Sequence, residues 1–217
     1  MSRWAVFDVD GTLFPPSSME KAFLTSMLRK GVIPIENIFY YFLTATLTTL
    51  KSNYEEGFKN NKYYLKYLPV PPIQTAAKKF VKQIIWPRIS TIGIDRIHIY
   101  RQQGYKIVLM SGSPDFLTYP LATYLQPDVT IASELEIIQN RFSGRLVNLH
   151  PYGVRKTTIL KNLSQKLSLD FHKSIVFANH HSDYHHMQLF GEAVAVNPTA
   201  KLKKLAQKHG WKIERWE

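Results

Sequence analysis

Trp4-Ala-Val-Phe-Asp8-Val-Asp10-Gly11-Thr12-Leu13 decides how the rest of the chain is read. Trp4 to Val9 is a short β-prone run that ends in carboxylates and a glycine. That is the profile of a buried parallel strand with a functional loop at its carboxyl end. In extended chain, residues two apart project the same way, so Asp8 and Asp10 stand side by side at the strand end. Gly11 then lets the chain turn sharply. Paired carboxylates just after a buried strand are costly unless a cation or a substrate uses them.

Downstream, residues from about Ser17 to Ile85 read mainly helical: Met19–Lys30, Ile35–Leu50, a Tyr/Lys-rich stretch from Asn53 to Leu68, and Ile73–Ile85 after Pro71-Pro72. Beyond Pro87 the texture changes to alternating strands and helices. A helix through Ile94–Gln103 precedes a strand at Lys106–Met110, and Asp128–Ala132 is another strand. Glu134–Ile138 and Phe142–Val147 flank Gln-Asn-Arg as a hairpin. Thr157–Leu167, Asp183–Phe190 and Ala200–His209 read as helices, and Ser174–Ala178, Ala193–Val196 and Trp211–Arg215 as strands. Such alternation predicts an α/β fold whose parallel sheet is covered on both faces. The helical block after the first strand then reads as an inserted cap. The expected division is a core of 1–15 and 86–217 with a cap at 16–85.

The Asp8-Val9-Asp10-Gly11-Thr12 motif resembles that of the haloacid dehalogenase superfamily, in its phosphoserine-phosphatase-like branch, whose members carry Asp-x-Asp-x-Thr after the first strand of a Rossmann-like sheet. The resemblance implies a magnesium-dependent phosphatase in which Asp8 attacks phosphorus and becomes an aspartyl-phosphate. Asp10 is then general acid to the leaving group and general base for the water. A carboxylate nucleophile splits a hard hydrolysis into two easier displacements, and a second carboxylate can carry the proton both ways.

Three further segments fall in register. Ile107-Val-Leu-Met-Ser111-Gly112-Ser113-Pro114 is a hydrophobic strand that ends in hydroxyls and glycine before a helix. Pro114 suits a first helical turn, with Ser113 as the N-cap. The resemblance implies that Ser111, with Thr12, Gly112 and Lys156, holds the substrate phosphate. Lys156 opens a helix after Gly153, where the family places its active-site lysine; Arg155 is the competing residue. The strand Ile175–Phe177 runs into Asn179-His180-His181-Ser182-Asp183, where the family expects Gly-Asp-Ser-x-x-Asp. Asn179 thus stands in place of the first aspartate and Asp183 keeps the second. The implied Mg²⁺ ligands are Asp8, the Asp10 backbone carbonyl, Asn179 and Asp183, with weaker binding because an amide oxygen is neutral. A phosphate-binding or regulatory module that has lost turnover is the alternative reading. The histidines His180, His181, His185 and His186 read as partly exposed neighbours of the active-site mouth rather than as a zinc site, which wants a third well-spaced ligand.

Lys+Arg total 28 against 16 Asp+Glu, a formal +12 that draws phosphates, nucleic acid or anionic lipid. No nucleic-acid-binding motif accompanies that charge. There is no cysteine, which excludes disulfides, thiolate metal sites and a cysteine nucleophile. With no secretory signal either, a cytoplasmic protein is expected. Asn37 to Leu50 is apolar but too short to span a bilayer, and a buried or half-buried helix is expected there rather than a surface-membrane contact. The cap aromatics Phe39, Tyr40, Tyr41, Phe42, Tyr54, Phe58, Tyr63, Tyr64 and Tyr67, interleaved with Lys51, Lys59, Lys62 and Lys66, read first as cap core, and otherwise as an aromatic, cationic entrance for a larger or more anionic phosphate ester. No counterpart is found for the cap residues that hold an amino acid in phosphoserine phosphatases. A small-molecule phosphate ester, with anionic or lipid-linked esters among the candidates, is the expected substrate.

Overall fold

The computed structural model describes residues 2–15, 18–52 and 55–217. Strand β1 (Trp4–Asp8) is buried along its whole length and lies inside a six-stranded sheet with the order β3-β2-β1-β6-β7-β8. The other strands of the sheet are β2 (Lys106–Pro114), β3 (Val129–Ser133), β6 (Ile175–Ala178), β7 (Glu192–Val196) and β8 (Lys212–Glu214), and β1 pairs with β2 and β6. Every neighbouring pair is parallel. From β1 the chain builds β2 and β3 on one side, then returns to build β6, β7 and β8 on the other. The carboxyl end of β1 is therefore the topological switch point, where open α/β sheets leave a crevice.

The pleat sorts the core into two layers. Ala5, Phe7, Ile107, Leu109, Ile175 and Phe177 face one side, where Ile97 of α4 (Thr91–Gln102) and Leu117 and Leu121 of α5 (Asp115–Leu125) cover them. Trp4, Val6, Val108, Met110, Val176 and Ala178 face the other, against Leu160 of α6 (Val154–Leu167), Met187 of α7 (Tyr184–Met187) and Leu202 and Ala206 of α8 (Ala200–His209). Burial on both faces explains why these strands read as continuous apolar runs. The Phe7 and Phe177 rings stack at 4.6 Å.

Three helices precede α4 in the connection between β1 and β2: α1 (Met19–Arg29), α2 (Ile35–Lys51) and α3 (Val70–Phe80). Ser18 caps α1 by accepting from the Lys21 N–H, and Met19, Phe23 and Met27 carry that helix into the same layer as Phe7. α3 passes into a wider turn at Val81–Ile85 and a 3₁₀ turn at Trp86–Arg88. The expected helix of the Tyr/Lys-rich stretch is broken instead. Asn53 and Tyr54 lie outside the described residues, Glu55–Lys59 forms one wide turn, and Tyr63–Leu65 is 3₁₀. Asn61 causes the break: its amide donates to the Tyr41 carbonyl and the Thr44 hydroxyl while its oxygen accepts from the Tyr63 N–H. Side-chain bonds of this kind compete with helix.

The largest departure from expectation is α2. Only Ala45 of this helix is buried. Phe39, Tyr40 and Phe42, expected as core, are 54–66 % exposed, and Tyr67 is exposed as well. Tyr64, by contrast, is fully buried. Ile38, Tyr41 and Ala45 line the inner side of α2, and nothing among the described residues covers the outer side. No helix among the described residues is long and apolar enough to cross a membrane.

The expected hairpin forms between β4 (Leu135–Ile138) and β5 (Arg141–Leu146). Gln139 and Asn140 make its two-residue turn, both at positive φ, as hairpin turns of this length require. The expected helix over Asp183–Phe190 is shorter, a 3₁₀ turn at His181–Asp183 followed by α7.

Candidate active site

Asp8 closes β1 with its side chain only 6 % exposed. Each of its oxygens has a donor. Lys156 Nζ donates to Oδ1 at 2.6 Å and the Thr12 hydroxyl to Oδ2 at 2.8 Å. The same Lys156 amine reaches Asp183 Oδ1 at 2.9 Å, so one ammonium bridges two buried carboxylates. Lys156 gets there because Gly153, at φ +56, turns the chain into α6 and sets residue 156 in the first helical turn.

Gly11 is required twice over. Its φ is +86°, and a Cβ at this position would fall 2.1 Å from Asn179 Nδ2. The turn after Asp10 thus presses against the Asn179 amide, whose oxygen lies 3.4 Å from the Thr12 hydroxyl.

Asp10 is gripped by hydroxyls. Ser111 Oγ donates to its Oδ2 at 2.6 Å, Ser113 Oγ approaches both oxygens at 2.9 and 3.0 Å, and the Met19 N–H donates to Oδ1 at 2.7 Å. Ser113 therefore does not cap α5 as expected. Pro114 occupies the capping position and makes no side-chain cap.

These groups open onto a cavity of about 730 Å³, whose wall includes Asp8, Asp10, Gly112, Lys156, Asn179 and Asp183. Thr12 and Ser111, expected to touch substrate, are fully buried and stand behind the carboxylates they bond, off the cavity wall. Four sequence segments more than a hundred residues apart in total span are thus gathered at one strand end, with the side chains the motifs singled out.

The electrostatics follow from burial. Desolvation pushes the Asp8 carboxyl up to about 7, against the pull of Lys156 and with Asp183 adding to the rise. Asp183 feels the same desolvation as its largest influence, but Lys156, His186 and His180 together hold that carboxyl below its ordinary value. Burial works against the charged Lys156 amine, yet Asp183 and Asp8 together hold it above its usual range. Two carboxyl groups around a single ammonium in a dry pocket resist full ionisation, and the raised Asp8 carboxyl reflects it. That is the environment a divalent cation relieves, and carboxylate, amide and carbonyl oxygens are the hard donors Mg²⁺ takes. The residues present therefore fit the ion. Among the described residues no three His, Asp or Glu side chains are already gathered as a metal cage, because Asp10 is turned to the serines and Asn179 supplies an amide.

A model of the haloacid dehalogenase-like hydrolase family matches residues 5–188, from β1 through α7. The chain belongs to that family. Within it, similarity runs to the phosphoserine-phosphatase-like members. The chain is 24 % identical to the phosphoserine phosphatase SerB1 of Mycobacterium tuberculosis over 216 residues, 96 % of this chain and 69 % of that protein. It is 22 % identical to the histidinol-phosphatase of Neisseria meningitidis over 98 % of both chains. A crystal structure of a Bordetella pertussis protein of unknown function superposes with a TM-score of 0.81 at 20 % identity, covering 99 % of this chain and 98 % of that one. The fold is the α/β Rossmann-like fold of haloacid dehalogenase hydrolases, and the activity is that of a phosphoric monoester hydrolase.

Several cavity residues of this hydrolase escaped the sequence reading. Glu20 lines the cavity and is already paired: buried Lys62 reaches its two oxygens at 2.6 and 2.8 Å, and the Tyr64 hydroxyl donates at 2.7 Å. His150 also lines it, with Nδ1 2.6 Å from the Ser133 hydroxyl. Burial, reinforced by Lys62 and Lys59, pushes His150 down to about 2, so the ring is neutral. Of the four clustered histidines, half-buried His180 alone reaches the cavity wall. His185 is exposed, and His186 is buried 3.9 Å from Asp183, with desolvation taking it down to about 3. His180 thus stands where the sequence expects the histidines, at the mouth of the site, and Lys62 is one of the cap lysines; Glu20 and His150 carry no motif.

Proposed function

We propose that this hydrolase cleaves a small-molecule phosphate monoester in two displacements at Asp8. The observation that carries the proposal is the Lys156 amine at 2.6 Å from Asp8 inside a cavity that also holds Asp10. In the first displacement an Asp8 oxygen attacks phosphorus, the ester P–O bond breaks, and Asp10 gives its proton to the departing alkoxide. In the second, Asp10 takes a proton from water, the water oxygen attacks phosphorus, and the P–O bond to Asp8 breaks. Inorganic phosphate leaves and the Asp8 carboxylate is restored.

Thr12 fixes the nucleophile's second oxygen, so the attacking geometry is set before substrate arrives. Lys156 offsets charge around Asp8 and attracts the phosphoryl oxygens. To act as an acid Asp10 gives up one of its serine bonds, which makes Ser111 and Ser113 holders of that carboxylate between turnovers. Mg²⁺ would be held by Asp8, the Asp10 carbonyl, Asn179 and Asp183, and when bound it adds positive charge beside the phosphate. Asn179 as a neutral donor supports weaker metal binding than an aspartate would give.

Residues 16–85 serve as the cap over a core of 1–15 and 86–217 in this reading. Relatives named for phosphoserine and histidinol phosphate support a small polar ester. Neutralisation of Glu20 by the Lys62 ammonium argues against a second ammonium group being held there. A chain without cysteine suits work in the cytoplasm.

The test is release of phosphate from a generic aryl phosphate with Mg²⁺. Asp8→Asn is expected to lower kcat by at least about a thousandfold, and chelation of the metal to silence the wild type. Unchanged turnover in Asp8→Asn would reject Asp8 as nucleophile. A wild type silent with Mg²⁺, Mn²⁺ and Co²⁺ and not rescued by Asn179→Asp would instead favour the phosphate-binding module.

A further inference from the structure

We infer that the outer face of α2 is a docking surface for an anionic lipid bilayer. At 3.6 residues per turn, Phe42, Ile35, Phe39, Leu50, Leu43, Leu47 and Tyr40 fall within one arc of about 160°. These seven side chains are 43–79 % exposed. The stripe runs the whole 17-residue helix, a length of about 25 Å. Monomeric soluble proteins seldom leave so many large apolar side chains contiguous and open, and such patches mark interaction sites.

Charge selects the occupant. The chain carries a formal +12. Exposed Arg29 and Lys30 lie just before the helix and exposed Lys51 ends it, while Glu36, its one acidic residue, falls within the arc at the first turn. A second copy on this face would bring +12 against +12, whereas an anionic lipid surface attracts the flanking cations and buries the stripe. Since no described helix can cross a membrane, the contact is a surface one. Phe42 belongs both to the stripe and to the cavity wall, beside Tyr41. A bilayer seated on α2 therefore lies next to the opening through which the phosphate ester enters.

Vesicle flotation tests this directly. The wild type is expected to float with vesicles of phosphatidylcholine mixed with phosphatidylglycerol, less with phosphatidylcholine alone, and less again as NaCl is raised. The triple variant Phe39→Ser, Leu43→Ser, Leu50→Ser removes apolar area away from the cavity wall, and its partitioning is expected to fall at least about tenfold. Wild type that stays at the bottom of the gradient, or a triple variant that floats equally well, overturns the inference. So does a wild-type dimer in sedimentation that the triple variant dissolves, since the stripe then belongs to a second copy. Circular dichroism melting checks that the variant folds. The binding readout needs no turnover, so failure of the phosphatase proposal and failure of this one are told apart.

Discussion

Lys156 is the residue on which the site's integrity turns, because two carboxylates with almost no access to water share its single ammonium. Lys156→Met leaves both unpaired and is expected to destabilise the fold by about 3–5 kcal/mol, read as a lower urea midpoint. An unchanged midpoint would mean that the carboxylates are already solvated or protonated. Asp8, Asp10, Lys156 and Asp183 were legible because each sits at a strand end or helix start that its own segment announces. Ser113, Glu20, Lys62 and His150 were not, because their roles come from partners far away in the chain: Ser113 spans to Asp10, Lys62 to Glu20, and His150 to Ser133. His150 supplies a pH signature. Its folded pKa is about 2 against an ordinary 6.5, so below 6.5 the unfolded chain takes up a proton that the folded chain refuses. Stability is therefore lost as pH falls from 6.5 toward 2. Between pH 8 and pH 5 the loss from this one ring is about 2 kcal/mol. His150→Gln lacks that titration, so its stability deficit relative to wild type should shrink by about that amount at pH 5. A deficit that stays constant across this range would show that the ring protonates freely in the fold.

At the scale of elements, strands and hairpin were readable and the segment around α2 was not. Strands buried on both faces have a composition that solvent-exposed strands lack, and the two-residue turn at Gln139-Asn140 demands residues that tolerate positive φ. An apolar helical run, however, states what its side chains are without stating which neighbour covers them. Inner and outer faces of α2 are both apolar, so the pattern held no sign that one would stay open. The break after Lys51 was hidden for another reason, since Asn61 acts through the carbonyl of Tyr41, twenty residues earlier. A stabilising change is available at the end of α5. Gln126 caps that helix at φ 50° and ψ 53°, in the left-handed region. Its backbone supplies the bonds there, the N–H donating to the Ala122 carbonyl and the carbonyl accepting from Arg101. Gln126→Gly relieves the left-handed strain and is expected to stabilise by about 0.5–1 kcal/mol, seen as a higher thermal midpoint. A lower midpoint would place the glutamine side chain in a role that this geometry does not give it.

For the whole molecule, the sheet order follows from the alternation that begins after Pro87, and the crevice at the switch point follows from the order. The excess of positive charge acts at this scale too. Self-repulsion of a +12 chain opposes compactness, and salt shortens its reach from about 30 Å at 0.01 M to about 8 Å at 0.15 M. Raising NaCl over that range should raise Tm; a fall would mean that attractive pairs outweigh the repulsion. The placement of β1 has a consequence for how the molecule comes into being. Ala5 pairs with Ile107 on one side and Ile175 on the other, so the earliest-made strand of the sheet is also its innermost. A ribosome releases that strand long before either flank exists, and its apolar surface must be sheltered throughout. The carboxylate at its tip meets the Lys156 amine only when the last third of the polypeptide has arrived.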